Sequence, residues 1–393
     1  MNPAATKKPF VAIACGGTGG HLFPGLAVAE HLRRRDCEVA LLISPTDVDQ
    51  AAVKNVRGLE IFTLPAVGLQ NRNYFSFAKS FWNSYRAARN FFRQHQPNAV
   101  LAMGGFTSAP PIFAASKFGA KTFLHESNTI PGRANRLLAR FVDEAFVGFS
   151  EAATRLRAQK TSVTGTPVRP QFSPCAIHNP QSAVALGLDP NLPVILVVGG
   201  SQGARGLNEM ILSALPLLEE KKWQWLHLTG PNDFEKVKSA YAHHRIRAVV
   251  KPFLAEMELA LAAATVAVSR AGASSLAEMA AMRVPTLLVP LPTSADQHQD
   301  FNAAAFVKNG AAKLLDQKKS TPADVVAGLV ELVENGGART QMQAALAQWH
   351  APQAAEQIAE NILRSLGQNA NQKSFSMVPP VSGRAAGNLK AVA

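Results

Sequence analysis

The sequence of 393 residues predicts an α/β fold of two similar halves, each a doubly wound parallel sheet with helices on both faces. Short apolar runs alternate with longer amphipathic stretches, which is the βαβ pattern of such sheets. This pattern restarts near residue 193 with a second strand and a second glycine-rich turn. The length also fits two domains, since a domain averages roughly 150 residues.

The first half begins with a buried strand over Phe10–Cys15 and a turn over Gly16–Gly20. Because proline favours the first turn of a helix, Pro24 predicts a helix over Gly25–Arg35. Strands are then predicted at Glu38–Ile43, Ala99–Met103 and Lys121–Leu124.

The second half repeats this order. A strand over Pro193–Val198 opens it, followed by a glycine-rich turn over Gly199–Gly206 and a helix over Leu207–Leu218. Further strands are predicted at Trp225–Leu228, Ala248–Val250, Val266–Val268 and Thr286–Val289.

The domain boundaries follow from composition. A proline-rich segment, Thr164–Pro190, is interpreted as the hinge region between domains over residues 10–172 and 173–345. Residues 1–9 form an N-terminal extension. A helical segment over 346–366 can return to either domain, and we favour the N-terminal one. Residues 367–393 lack periodicity and are predicted to be a mobile tail.

Composition excludes several classes of protein. Three cysteines, Cys15, Cys37 and Cys175, are too few for a disulfide framework and fit a reducing cytoplasm. No secretory leader is predicted, because the apolar run after Lys7 and Lys8 is too short. No run of about 18 apolar residues predicts a membrane span.

The formal net charge of +13 lies almost wholly in the first half, since residues 1–172 carry +11 and the remainder +2. Between Glu60 and Glu126 there is no acidic residue but there are seven basic ones, interleaved with aromatic residues. Such a concentration of positive charge attracts nucleic acid or an anionic membrane surface. No known nucleic-acid recognition motif accompanies it, which disfavours the first alternative.

The first glycine turn, GGTGGH at 16–21, is typical of a backbone that approaches an anionic ligand. A dinucleotide site would need a third glycine where Leu22 stands, and the turn at 199–206 has Ser201 where the first glycine is needed. Both failures disfavour a nicotinamide enzyme. His21, at a strand end, is a candidate base, with an indirect role in holding a loop or a diphosphate as the alternative.

Two polar loops of the second half are further candidates. In SRAGASSLAE at 269–278, Ser274 or Ser275 is expected to cap a helix whose first-turn amides face a diphosphate. Glu278 then has two open interpretations: a capping-box carboxylate, or an acceptor for the vicinal hydroxyls of a ribose. The run of amides, acids and imidazole at 296–302 suits hydrogen bonding to a sugar.

Seven motifs in order resemble glycosyltransferase family 28, and in particular its bacterial peripheral-membrane N-acetylglucosaminyltransferases, which convert lipid I into lipid II. They are GGTGGH at 16–21, GGFTS at 104–108, HESN at 125–128, GTPVRP at 165–170, GGSQGARGLNE at 199–209, SRAGASSLAE at 269–278 and HQDFNA at 298–303. The resemblance covers about residues 9–366. It implies the GT-B architecture, with two Rossmann-like, doubly wound domains facing a cleft.

The resemblance also implies the chemistry. The N-terminal domain takes lipid I, the C-terminal domain takes UDP-N-acetylglucosamine, and an inverting transfer forms a β-1,4 bond without metal or cofactor. His21 is our candidate for the catalytic base of this transfer; Glu126 is the one competing carboxylate in the first-domain motifs, and the family does not clearly support it in that role. In the family, an aromatic residue with a hydroxyl usually stands at Phe106 and glutamine at Ser127, so a hydrogen bond from position 106 is lost here.

The implied substrate-binding residues come from both domains. Thr18, Gly19 and Gly20 lie near the donor sugar and diphosphate, while Asn128 and Gln299 bind the sugar. Glu278 is implied to bind the ribose and the backbone of Leu254 the uracil. The full set of residues implied to contact the diphosphate or the nucleoside of the donor is Arg169, Ser201, Leu254, Ala273, Ser274, Ser275, Leu276, Ala277 and Glu278.

The segment at 69–93 interleaves five basic residues with aromatic ones and contains no acid. This composition is typical of an interfacial membrane anchor, and the alternative is a core helix whose aromatic residues face the sheet. The predicted membrane patch comprises Arg72, Phe77, Lys79, Phe81, Trp82 and Arg86. We therefore expect a peripheral protein on the cytoplasmic face of the inner membrane. Its expected partners are anionic lipid and other cell-wall synthesis proteins, not nucleic acid.

Overall fold

The computed structural model describes residues 8–46, 49–50, 53–54, 56, 58–66, 74–174, 179–200 and 203–367. Two residues singled out by the sequence, Ser201 and Arg72, lie outside this set. Most of the N-terminal extension and nearly all of the predicted tail lie outside it as well.

The first half contains a seven-stranded parallel sheet with the order β3-β2-β1-β4-β5-β6-β7. Its strands are β1 (Phe10–Ala14), β2 (Glu38–Ile43), β3 (Glu60–Thr63), β4 (Ala99–Ala102), β5 (Lys121–Glu126), β6 (Glu144–Val147) and β7 (Thr161–Val163). Its helices are α1 (Gly19–Arg34), α2 (Tyr74–His95), α3 (Ala109–Ala115), α4 (Arg133–Leu138) and α5 (Ser150–Ala153).

The second half contains a six-stranded parallel sheet with the order β10-β9-β8-β11-β12-β13. Its strands are β8 (Val194–Val198), β9 (Gln224–Leu228), β10 (Ala248–Lys251), β11 (Val266–Ser269), β12 (Thr286–Leu288) and β13 (Lys313–Leu314). Its helices are α6 (Pro180–Ala185), α7 (Arg205–Ala214), α8 (Phe234–His243), α9 (Met257–Ala263), α10 (Ala273–Ala281), α11 (His298–Lys308), α12 (Pro322–Glu334), α13 (Gly336–Trp349) and α14 (Ala354–Ser365).

The central strands are buried on both faces, as parallel sheets between helices require. The last helix, α14, packs on α1 of the first half. Ile358 and Ile362 are fully buried in the same apolar cluster as Val11 of β1. Arg35, at the end of α1, donates to Glu356 at 2.6 Å and to Glu360 at 3.0 Å. The chain therefore returns to its first half after completing the second.

Helix α1 begins earlier than the sequence predicts. It starts at Gly19 rather than Gly25, and Pro24 lies inside it. Proline has no amide proton, so Pro24 cannot donate to the carbonyl of Gly20, its partner four residues earlier. That carbonyl instead accepts a hydrogen bond of 2.7 Å from the hydroxyl of Ser274 in the second half. A donor outside the helix thus compensates for the missing amide proton of Pro24.

Helix α2 has two different faces. Phe91 and Phe92 are buried against the sheet, whereas Phe75 is 83% exposed and Trp82 is 57% exposed. Phe81 is half-buried, with its ring 6.3 Å from that of Phe113. Phe77 is likewise half-buried, and the basic residues Lys79 and Arg86 are exposed. Within the described ranges, no helix is both long enough and apolar enough to cross a bilayer.

Candidate active site

The two sheets meet at the carboxyl ends of their strands, where open α/β sheets place their ligands. Here the first glycine turn, at 16–21, packs directly against the second, at 104–108. The hydroxyl of Thr107 donates to the carbonyl of Gly16 at 2.7 Å. Gly17 has a φ of +108°, and the Phe106 ring lies 2.9 Å from the position a β-carbon would occupy. Only glycine fits there, so this sequence motif is explained by close packing of the two loops.

His21 lies on the backbone of the second glycine turn. Its ring atoms come within 3.0 Å of where a β-carbon would sit on Gly104 and 2.9 Å on Gly105. Its Nδ1 is buried and has no hydrogen-bond partner in the described part of the chain. Burial lowers the pKa of His21, against weaker opposing effects of Glu126 and the Met103 carbonyl. A neutral imidazole at physiological pH can accept a proton.

Glu126 is a structural carboxylate. Its Oε1 accepts from the backbone amide and the side chain of Asn128, at 2.8 and 2.9 Å. Its Oε2 accepts from the amide of Gly132 at 2.9 Å and from Asn135 at 2.8 Å. The residue is 2% exposed. With four donors on its two oxygens, Glu126 holds the HESN loop and is poorly placed to compete with His21 as a base.

The neighbouring histidine of this motif, His125, is also buried. Its Nε2 lies 3.1 Å from the carbonyl of Gly165, and burial lowers its pKa to about 4. Asn128 is only partly buried, and it faces the second half through Asn302. The HESN loop therefore combines a rigid interior with one amide that reaches the cleft.

The prediction that Ser274 or Ser275 caps a helix in the SRAGASSLAE segment is wrong. Helix α10 begins at Ala273, and its N-cap is Gly272, which has no side chain to cap it. Ser274 lies within the first turn and bonds across the cleft to Gly20, as described above. A Glu278 capping box is excluded as well, because the N-cap provides no hydroxyl. The first-turn amides of α10 thus lack a side-chain cap, an arrangement that suits an anion.

Glu278 and Arg169 form the charged part of the site. Burial raises the pKa of Glu278 to about 7, Arg169 opposes the rise, and Glu258 adds to it. The guanidinium of Arg169 stacks on the rings of Phe23 at 4.3 Å and Phe172 at 5.0 Å. Its Nε is buried and lacks a partner among the described residues. Arg169 is therefore fixed by aromatic stacking, with donor capacity to spare.

Gln299 and Leu254 complete the predicted donor residues. The Oε1 of Gln299 accepts from the amides of Ala271 at 3.3 Å and Leu291 at 3.0 Å. This orients its amide group and leaves the NH₂ group as the end that can donate to a ligand. Leu254 is 7% exposed and belongs to an apolar core cluster, so its side chain is not available to a ligand.

The remaining predicted residues lie at the two helix starts. Thr18 is the exposed N-cap of α1, and Gly19 and Gly20 begin that helix. Ala273, Ser275, Leu276 and Ala277 belong to α10, where Ala273 and Leu276 are buried. The described residues of the predicted membrane patch, Phe77, Lys79, Phe81, Trp82 and Arg86, are on α2 and make none of these contacts. No cluster of three or more His, Cys, Asp or Glu side chains in the described ranges is arranged to hold a metal ion.

Two buried residues of the site were missed from the sequence. Asn302, at 0% exposure, bonds to residues of both halves. Arg270, at 6% exposure, donates to the carbonyls of Val289 and Pro290 and to Gln317. Asn302 belongs to the HQDFNA motif and Arg270 to the SRAGASSLAE motif. The available signal was their polarity, with Arg270 directly after β11 and Asn302 in the second turn of α11, but several of their partners are distant in sequence.

Comparison with known proteins agrees with this geometry. Residues 11–147 match the glycosyltransferase family 28 N-terminal domain, and residues 194–358 match the family's C-terminal domain. A relative from Gloeobacter violaceus is 35% identical over 90% of this chain and 97% of its own length. It is named UDP-N-acetylglucosamine–N-acetylmuramyl-(pentapeptide) pyrophosphoryl-undecaprenol N-acetylglucosamine transferase. A relative of the same name from Prochlorococcus marinus is 41% identical over 79% of this chain and 83% of its own length.

Solved structures show the same architecture. The crystal structure of MurG from Acinetobacter baumannii superposes with a TM-score of 0.69 at 28% identity, covering 91% of this chain and 99% of that one. A Listeria monocytogenes structure described as a putative UDP-N-acetylglucosamine 2-epimerase reaches the same TM-score at 15% identity, which shows the shared fold alone. With both domains matched and full-length relatives above 30% identity, the chain belongs to glycosyltransferase family 28 and is a glycosyltransferase of GT-B fold.

Proposed function

We propose that this enzyme transfers N-acetylglucosamine from UDP-N-acetylglucosamine to the C4 hydroxyl of the N-acetylmuramyl group of lipid I, giving lipid II with a β-1,4 bond. One observation supports this proposal most directly. The hydroxyl of Ser274, in the first turn of α10, bonds to the carbonyl of Gly20, the residue before His21. A candidate base and a candidate diphosphate site therefore share one cleft.

The proposed reaction is a single in-line displacement. The imidazole of His21 takes the proton of the acceptor hydroxyl while the hydroxyl oxygen bonds to the anomeric carbon. The bond from that carbon to the β-phosphate oxygen breaks, its electrons leave with UDP, and the anomeric centre inverts. Burial keeps His21 neutral before the step, which suits it to receive the proton.

The leaving diphosphate gains negative charge, and both domains offer it partners. The uncapped amides at the start of α10 and the guanidinium of Arg169 are fixed before the reaction. Preorganised donors of this kind stabilise developing charge without reorganising. We assign the ribose to Glu278, the sugar to Asn128 and Gln299, and the uracil to the backbone at Leu254. In this assignment the domain over residues 10–172 binds the acceptor, lipid I, and the domain over residues 173–345 binds most of the donor, UDP-N-acetylglucosamine.

We also propose that the first domain docks on an anionic leaflet through α2. Phe75 and Trp82 expose large apolar surfaces on the same helix as the exposed bases Lys79 and Arg86. Each base near an anionic surface contributes about 1 kcal/mol, and the apolar side chains add to it. This would bring the cleft to the headgroup of a lipid-linked acceptor on the cytoplasmic side of the inner membrane.

The decisive experiment is incubation with UDP-N-acetylglucosamine and a lipid I analogue, following UDP release. The proposed function predicts release that requires both substrates and a disaccharide product. Release with a different UDP-sugar but not with UDP-N-acetylglucosamine would favour another GT-B transferase acting on a lipid-linked acceptor. Absence of release with every sugar tested would refute the assignment.

A further inference from the structure

The asparagine of the HQDFNA motif joins three segments that are distant in sequence. Asn302, on α11, is completely buried. Its Oδ1 accepts from the amide of Thr129 at 2.9 Å and from the hydroxyl of Thr129 at 3.0 Å. Its Nδ2 donates to Oδ1 of Asn128 at 3.0 Å and to the carbonyl of Ala271 at 3.1 Å. All four bonds have good length, and two of the three partner residues belong to the other half of the molecule.

The orientation of each amide in this group is determined by its partners. The carbonyl of Ala271 can only accept, and the backbone amide of Thr129 can only donate. These two end points fix which atom of Asn302 is oxygen and which is nitrogen. The NH₂ of Asn302 therefore faces Asn128, which must present its oxygen in return.

A second constraint acts from the opposite side of Asn128. The Nδ2 of Asn128 donates to Oε1 of Glu126 at 2.9 Å, and an ionised carboxylate only accepts. Asn302 and Glu126 thus impose the same orientation from opposite ends. Asn128 is partly exposed, so one Nδ2 proton and one lone pair of Oδ1 remain for a ligand. The C=O and N–H of an acetamido group point in opposite directions, so Asn128 complements it through the free Nδ2 proton, which can donate to the acetamido carbonyl oxygen.

We infer that Asn302 is a positioning residue that fixes the Asn128 amide and thereby sets the preference for an acetamido group at C2 of the donor sugar. The inference rests on the proposed function, in which Asn128 contacts that sugar. Because Asn302 bonds to both halves, it presents Asn128 correctly only when the cleft is closed. Recognition of the acetamido group and closure of the cleft are therefore linked through one side chain.

Two substitutions separate positioning from packing. Asn302→Ala removes all four bonds and leaves a cavity. Asn302→Asp keeps the side-chain volume and both bonds from Thr129, but it replaces the NH₂ group with an oxygen that faces the two acceptors on Asn128 and Ala271, and thermal unfolding measures the cost to the fold. The control is Asp296→Asn, which weakens the exposed ion pairs of Asp296 with Arg133 and Arg136 across the same cleft. Asparagine also tolerates the positive φ of 47° at that position.

The readout is kcat/KM for UDP-N-acetylglucosamine compared with UDP-glucose, which has a hydroxyl in place of the acetamido group, with thermal unfolding measured alongside. Both Asn302 variants are expected to lose about tenfold or more with UDP-N-acetylglucosamine and no more than about twofold with UDP-glucose. The control should keep the wild-type ratio. Equal losses with both donors would reduce Asn302 to a structural role, and no loss with either donor would also overturn the inference. A wild-type enzyme inactive with UDP-N-acetylglucosamine would instead refute the proposed function.

Discussion

The raised pKa of Glu278 predicts that a binding residue weakens the fold. Burial of the carboxyl group raises its pKa from an ordinary 4.5 to about 7, despite the opposing charge of Arg169. Replacing Glu278 with glutamine keeps the shape of the side chain and removes the ionisation. We expect the Glu278→Gln variant to be more stable than the wild type at pH 8 and to bind the donor less well.

The magnitude follows from proton linkage. Between pH 4.5 and 7 the folded wild type holds a proton on Glu278 that the unfolded chain has released, so wild-type stability falls as the pH rises through this window. One pKa unit corresponds to about 1.4 kcal/mol, which gives a ceiling of about 3 kcal/mol above pH 7. The side chain keeps some solvent contact, so we expect a gain of about 1–3 kcal/mol at pH 8 and almost none below pH 4.5.

Urea unfolding at pH 4.5 and pH 8 measures the stability difference, and UDP release measures the donor KM. Loss of charge-assisted bonds to the ribose hydroxyls should raise that KM roughly tenfold to a hundredfold. In the wild type the KM should fall as the pH rises from 6 to 8 and Glu278 ionises, whereas the variant should lack this dependence. A variant that is less stable at pH 8, or that keeps the wild-type KM, would refute the reasoning.

Three further predictions concern the base, the cross-cleft contact and the membrane patch. His21→Ala should lower kcat roughly 10²-fold or more and change the donor KM less; near-normal kcat with an unchanged acidic limb of the pH profile would exclude His21 as the base. Ser274→Ala leaves the Gly20 carbonyl without its partner, so the donor KM should rise about three- to tenfold, and an unchanged KM would argue against a role in closure. The double variant Phe81→Ser and Trp82→Ser should sediment less with anionic vesicles while retaining transfer to a soluble acceptor; equal sedimentation with neutral and anionic vesicles would contradict the docking proposal.

The repeating α/β pattern was readable because the central strands are continuous apolar runs. Glu38–Ile43 was predicted to the residue, and other central strands within a few residues. The strands that sequence reasoning missed are short or at the sheet edges, namely β3, β6, β7 and β13. In β6, buried Glu144 interrupts the apolar pattern, and it is satisfied by Ser162 at 2.7 Å and Lys160 at 3.0 Å. A partner 16 to 18 residues away cannot be inferred from local pattern.

The site shows the same division between local and distant information. The glycine turns and polar loops are local signals, so their place at strand ends could be predicted. The roles of individual side chains depend on partners in the other half. Ser274 looked like a helix cap because caps are local, yet its hydroxyl bonds to a residue 254 positions earlier. Glu126 looked available as a base because its four donors could not be seen from the sequence.

Pro24 shows how a local sequence signal depends on a contact with a residue distant in sequence. In isolation it violates helix chemistry, and its position suggested that the helix begins there. In the folded chain it leaves the Gly20 carbonyl without an intrahelical donor, directly before His21. The second domain supplies that donor from the first turn of α10, where we place the donor diphosphate. A phosphate at the same helix start would lie beside the Ser274 hydroxyl while that hydroxyl donates to Gly20. Donor binding and the contact between the domains would then be coupled at one atom, next to the proposed base.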